Sequence, residues 1–364
     1  MKHIFKNKRI SSIITVMPQQ EVFFKDEMHN YSFPESQNMR LAKVMGFNKK
    51  RLGEKYDTVS DYAVFGIQQL LDANALKTEE VGAIVVVTTT PDHLIPPTST
   101  IIQGRFDFSA ETICQDISQG CAGYIVGLTQ AFTLLEMLDD KKVLLVTGDF
   151  LSQKIAVRDR GSRPIVGDAV SVSIVENTKE ENNSYCMIRN DGANAFAVYI
   201  PAGGTRLPSS PETAVEEMDV FNNYRAKDHL LMKGDLVFNF IINEVPIMME
   251  ELLVYARLTK DDIHYYMCHQ SSKLTLQKLA DRMDVPREKM PNNIIENFGN
   301  SSSASIPVAI TYNIADAMTS VNNLKIMLVG FGIGLTWGAI ILDMGKMDYC
   351  KMVDFAGKRY ALGE

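Results

Sequence analysis

Two stretches of this chain run through the same series of elements, and that duplication constrains the fold more than any other feature. In the first, Ala83-Ile84-Val85-Val86-Val87-Thr88-Thr89 is a β-branched run of the kind found in strands covered on both faces. A loop from Thr90 to Pro97 follows, then a helix from near Ser99 and a short strand over 113–117. A turn at Ser118 to Gly120 leads into a long apolar helix from Cys121, and a strand over 142–147 closes the series, with a further strand at 169–175. In the second stretch, 263–268 predicts a strand and 274–283 a helix with apolar positions Leu276, Leu279, Ala280 and Met283. Residues 293–297 predict a short strand, and 298–303 a Gly/Ser turn opening an apolar helix from about Ser305. A strand over 325–330 and its return partner over 337–342 complete the repeat. The separation of Ile84 from Val143 nearly equals that of His264 from Ile326. The order predicts an α/β protein made of two duplicated halves, 1–185 and 186–364. Residues 176–230 are polar and carry Pro201, Gly203, Gly204, Pro208 and Pro211, so they read as the surface connection, bearing a flap.

Bulk properties narrow the function class. With 364 residues and 46% hydrophobic content, the chain can bury a large core. A formal net charge of -7 argues against nucleic-acid binding. The N-terminus lacks an apolar signal-peptide core, and the apolar stretch from Cys121 to Leu138 is broken by Gly123, Gly127, Gln130 and Glu136, so it reads as a buried helix and not a membrane span. Five cysteines without a CxxC pair suit free thiols in a reducing, cytoplasmic setting and offer no metal signature.

Three residues stand where chemistry is done. Cys121, in Gln119-Gly120-Cys121-Ala122-Gly123, sits between a strand and a helix, where backbone N–H groups and the positive helix end favour a thiolate and can hold an oxyanion. The other reading is a buried core cysteine. His269 ends a hydrophobic strand, the edge that faces ligand crevices in parallel sheets, and is the best placed of six histidines for acid/base work. A structural histidine is the alternative, and His93, in a loop beside the first-half strand end, is a distant second candidate. Asn300, in Gly299-Asn300-Ser301-Ser302, is either an N-cap or a carboxamide aimed at the same site, because its turn corresponds to the one before Cys121. The segment Phe331-Gly332-Ile333-Gly334-Leu335-Thr336-Trp337-Gly338 lets backbone approach a ligand, but it lacks the GxGxxG order and a following helix, which excludes a dinucleotide site. Gly167-Asp168-Ala169 is a similar, less informative turn.

Together these segments resemble β-ketoacyl-acyl-carrier-protein synthase III of the thiolase superfamily. The resemblance rests on Asp116 to Gly123, Cys268-His269-Gln270, Phe298 to Pro307 and Gly330 to Gly338, supported by Asp159-Arg160-Gly161 with Gly167-Asp168 and by the segment from His229 to Phe238. It covers the chain from about residue 40 onward. It implies a thiolase-like five-layered α-β-α-β-α fold, a homodimer, and an acyltransferase of fatty acid or lipid metabolism with no cofactor beyond coenzyme A or acyl-carrier-protein thioesters as substrates. By resemblance, Cys121 takes an acyl group, and His269 and Asn300 hold the carbonyl of a malonyl-type extender while carbon dioxide leaves. The N–H groups of Cys121 and Ile333 form the oxyanion hole, and Arg40, Arg160, Gly332, Gly334 and Ser272 contact substrate or coenzyme A.

The sequence departs from that pattern in places. The usual His-Gln-Ala-Asn reads His269-Gln270-Ser271-Ser272, Ile333 replaces a glycine, and Arg40 stands where the tryptophan that stacks on adenine is expected. A basic carrier-docking position is Leu274, with Lys273, Lys278 and Arg282 close by. Two other functions fit the same residues: acyl transfer to an alcohol or amine without decarboxylation, and a non-catalytic partner subunit.

Overall fold

The computed structural model describes residues 1–361 and 363. Two mixed sheets form its frame. The first has six strands in the order Tyr349–Asp354, Lys8–Met17, Ala169–Asn177, Lys142–Asp149, Val81–Val87, Ile113–Ile117. The second has five, ordered Lys2–Lys6, Asn183–Asn190, Thr336–Met344, Leu324–Gly332, Tyr265–Cys268. Val81–Val87 runs parallel to both of its neighbours, and Tyr265–Cys268 runs parallel to Leu324–Gly332.

Side-chain alternation explains the layering. Along Val81–Val87 every residue is buried. Ile84 and Val86 face an outer cluster under the helix Val59–Asp72, while Ala83, Val85 and Val87 face the inner one. The inner layer holds the helices Gly123–Leu135 and Ser305–Asn313, both covered nearly all round because a sheet lies on each side. The helices Gly234–Ala256 and Lys273–Met283 cover the outer face of the second sheet. The succession is helix, sheet, helix, sheet, helix, the five layers expected from the resemblance.

Three sequence expectations change. Residues 293–297, expected as a strand, are a short helix, Ile294–Asn297, in which the Asn297 side chain donates to the Asn293 carbonyl at 2.8 Å. The second sheet therefore ends at Tyr265–Cys268, with no counterpart of Ile113–Ile117. The stretch 176–230 is not all surface connection, for Asn183–Asn190 lies inside the second sheet with Cys186 and Met187 buried. The boundary placed between 185 and 186 falls within that strand. Moreover, the first and last strands are exchanged: Lys2–Lys6 pairs with Asn183–Asn190, and Tyr349–Asp354 pairs with Lys8–Met17. The helix Gly234–Ala256 went unread in the sequence, where its apolar content is not segregated to one face.

Candidate active site

The strand Ile113–Ile117 delivers the chain to the Ser118–Gly120 turn, and Cys121 follows two residues before the helix Gly123–Leu135 begins. The return from the second half passes directly over the sulfur. A side chain on Gly332 would place its Cβ 2.5 Å from the Cys121 Cβ and 3.0 Å from Sγ, so only glycine fits there. The next residue brings its N–H to the thiol, as does Cys121 itself. Gln119 donates its side-chain amide to the Ile333 carbonyl at 2.9 Å, which anchors the residue whose N–H reaches the thiol. The two oxyanion donors named from the sequence thus meet at one sulfur.

The thiol is not the low-pKa group that its place before a helix suggested. Burial pushes it up to about 12, helped by the negative charge of Asp149 and opposed by the Ser302 hydroxyl and the two N–H groups. The helix starts after the cysteine and its field does not outweigh desolvation. The resting protein holds a thiol, and alkylation of Cys121 by iodoacetamide is expected to climb about tenfold per pH unit from roughly pH 6 to 9. A plateau near neutrality would contradict this.

His269 extends the parallel pairing by one bond, its N–H donating to the Val329 carbonyl at 2.8 Å. The imidazole is 2% exposed and stands edge-on to Phe331. Its Nδ1 lies 2.7 Å from Ser305 Oγ, and its Nε2 lies 3.5 Å from Asn300 Nδ2. Burial pushes the ring down to about 3, with the Ser302 backbone opposing, so it is neutral across the physiological range.

Asn300 is not the cap of the short helix Ser302–Ala304, whose N-cap is Ser301. Its Oδ1 accepts from Ser302 N at 2.8 Å in a local side-chain turn, and that bond directs the Nδ2 toward His269. Its backbone is fixed by a parallel bridge to Val166, donating to the Ile165 carbonyl at 2.7 Å and accepting from Gly167 N at 3.0 Å. This gives the Gly167-Asp168 motif a role. A Cβ on Gly167 would overlap the Phe298 carbonyl, and the Asp168 carboxylate anchors the loop by accepting from Gly53 N and Ser152 N and Oγ. Burial raises Asp168 to about 6 despite those donors.

The remaining expected residues lie farther out. Arg160 stacks over Phe33 with its guanidinium carbon 3.2 Å from the ring centroid, and both line a groove of about 200 Å³ with Leu41, Met45, Phe47 and Phe221. Arg40 is exposed on the helix Glu35–Met45 and does not line that groove; the aromatic partner of Arg160 is Phe33. Ser272 is buried and caps the helix Lys273–Met283, accepting from Thr275 N at 3.1 Å. Gly334 lies in the hairpin between Leu324–Gly332 and Thr336–Met344. His93 was a distant candidate, and no contact places it at the sulfur. Ser305, Ser302, Gln119 and Asp149 complete the site and were not read from the sequence. The available signal was faint: Gly148-Asp149 ends a strand, and 301–303 with 305 are all serine.

Two family models match segments of this chain. The one described as 3-oxoacyl-[acyl-carrier-protein] synthase III matches residues 115–192, and the one for its C terminal matches 253–344. A β-ketoacyl-[acyl-carrier-protein] synthase III of Streptococcus gordonii is 28% identical over 340 residues, covering 93% of this chain and all of its own. Among solved structures, a 3-oxoacyl-(acyl-carrier protein) synthase from Burkholderia xenovorans superposes with a TM-score of 0.90 at 26% identity, over 98% of this chain and 99% of its own. A β-ketoacyl-[acyl carrier protein] synthase III from Thermus thermophilus gives a TM-score of 0.79 at 28% identity, over 93% and 99%.

Proposed function

Because the chain belongs to the β-ketoacyl-acyl-carrier-protein synthase III-like enzymes of the thiolase superfamily, we propose that it carries out decarboxylative condensation through Cys121, His269 and Asn300. In the first stage the Cys121 sulfur attacks the carbonyl of an acyl thioester. The tetrahedral oxyanion accepts hydrogen bonds from the N–H groups of Cys121 and Ile333, and the carrier sulfur leaves as a thiol, taking up the proton that the Cys121 thiol gives up, to leave acyl-Cys121. In the second stage a malonyl-type thioester places its carbonyl oxygen against His269 and Asn300. When Ser305 donates its hydroxyl proton to Nδ1, the ring proton resides on Nε2. Nε2 and Asn300 Nδ2 then present two N–H donors side by side. Carbon dioxide departs, the electron pair enters the enolate held by those donors, and the carbanion attacks acyl-Cys121 to give a β-ketoacyl thioester and the Cys121 thiolate, which takes up a proton from solvent to restore the thiol.

The observation that carries this reading is the 3.5 Å approach of the His269 and Asn300 nitrogens to one another. One oxygen stabilised by two neutral donors is what an enolate requires. Acyl transfer to an alcohol or amine needs a base to deprotonate the acceptor, and a histidine pushed down to about 3 is a poor one. The deciding experiment has two steps: acylation from acyl-CoA donors followed by intact mass, then carbon dioxide release on adding a malonyl carrier thioester. An adduct without release sinks the condensation reading.

Substrate delivery and assembly belong to the same proposal. The helices Glu35–Met45 and Lys273–Met283 pack together and expose Arg40, Lys43, Lys278 and Arg282. A basic face on a chain of net charge -7 favours an acidic acyl carrier protein over a neutral partner. The groove of Phe33 and Arg160 suits the flat base of coenzyme A as a stacking partner. The enzyme acts as a cytoplasmic homodimer: the free thiols suit a reducing compartment, and no helix among the described residues is long and apolar enough to cross a membrane. Among the described residues the edge strand Ile113–Ile117 pairs with Val81–Val87 alone, while nearby Leu94 and Ile95 are 89% and 84% exposed, so we place the contact with a second copy along this edge. Sedimentation equilibrium at micromolar concentration is expected to return twice the chain mass, and a monomer at all concentrations would remove the edge-pairing proposal.

A further inference from the structure

The mechanism above leaves one buried ionisable group unused. Asp149 ends the strand Lys142–Asp149 with no exposed surface to speak of. Its Oδ1 accepts from Thr89 N at 2.6 Å, Thr89 Oγ1 at 2.7 Å and Thr88 Oγ1 at 3.2 Å. Its Oδ2 accepts from Ser303 Oγ at 2.9 Å and Ser303 N at 3.3 Å. Five donors converge on one carboxylate from two separate parts of the chain. Thr88 and Thr89 follow the central first-half strand. Ser303 belongs to the second half and lies between Asn300 and Ser305, the two residues that touch the His269 ring.

Burying a charge without pairing it is costly, and five donors are what make this one tolerable. Packing alone would not need it, because a hydrophobic residue could fill a strand end. The arrangement ties the turn that holds Asn300 and Ser305 to the rim of the first sheet, across the junction of the halves.

We propose that Asp149 is a positioning residue for the second half-reaction: through Ser303 it holds Asn300 and Ser305 in register on His269. This rests on the condensation reading. A residue that merely supported the fold would slow acylation of Cys121 and decarboxylation alike, whereas Asp149 acts on decarboxylation.

The contrast between the two half-reactions supplies the test. Asp149→Asn keeps the shape but turns an N–H₂ group toward donors. Decarboxylation of a malonyl carrier thioester should fall about tenfold in kcat with KM little changed, while acyl-Cys121 formation from an acyl-CoA donor keeps its rate. Ser303→Ala removes one bond, so kcat should fall by about threefold, again with acylation unchanged. Thermal midpoints confirm that each variant is folded. Full decarboxylation in folded Ser303→Ala and Asp149→Asn overturns the positioning role, and so does acylation slowed as much as decarboxylation. A wild-type protein that acylates but fails to decarboxylate would count against the condensation reading, and a loss confined to the variants would not.

Discussion

Cys121→Ala will show no acyl adduct by intact mass with any donor that labels the wild-type protein, and condensation will fall by more than about a thousandfold. The expectation follows from the surroundings of the sulfur. The N–H groups of Cys121 and Ile333 converge on one atom, and Gly332 leaves no room for a side chain above it. Removing the thiol leaves the donors in place without a nucleophile. Decarboxylation of the extender need not be lost with it, because the His269 and Asn300 donors stand on separate segments. The variant should thus release carbon dioxide from a malonyl thioester without making carbon–carbon bonds. A mass adduct that persists in Cys121→Ala would place the acyl group elsewhere and end the argument for this cysteine.

The second large effect is expected at the donor pair. Asn300→Ala should lower decarboxylation by about 100- to 1000-fold, the loss typical of one preorganised oxyanion donor, while the rate of acyl-Cys121 formation changes far less. His269→Ala should behave alike in the second stage. The double variant should be little worse than either single one, because an enolate needs both donors on the same oxygen. Burst-phase acylation and steady-state carbon dioxide release, measured on the same samples, separate the stages. If Asn300→Ala slowed acylation as much as decarboxylation, the assignment of this amide to the extender carbonyl would be wrong.

The three residues proposed at the centre each carry a local signature in the sequence. Cys121 lies between strand and helix among small residues, His269 terminates an apolar strand, and Asn300 follows a glycine in a turn. The sign of the thiol shift was not readable. Local position argued for a depressed pKa, whereas burial and Asp149 raise it, and both come from distant parts of the chain. Ser305 and Ser303 were hidden for a related reason. In a run of serines nothing local shows which hydroxyl will meet an imidazole and which a carboxylate. The same limit applies to the fold. The β-branched run ending at Val87 reads as a strand, because periodicity reports a covered face. Periodicity does not name the neighbour, so the pairing of Lys2–Lys6 and Tyr349–Asp354 with the opposite sheets could not be read. Ile294–Asn297 is too short for its period to tell helix from strand. Phe33, the partner of Arg160, was passed over because the resemblance directed attention to Arg40.

The crossed ends have a mechanical corollary. Each half lends a border strand to the other, so the two cannot drift apart like hinged lobes without peeling a strand from a ladder. A gene split near residue 180 would therefore yield fragments that each lack a piece of their own sheet and must find one another before either is finished. Cys121, His269 and Asn300, coded far apart, are in this way buckled into a single frame.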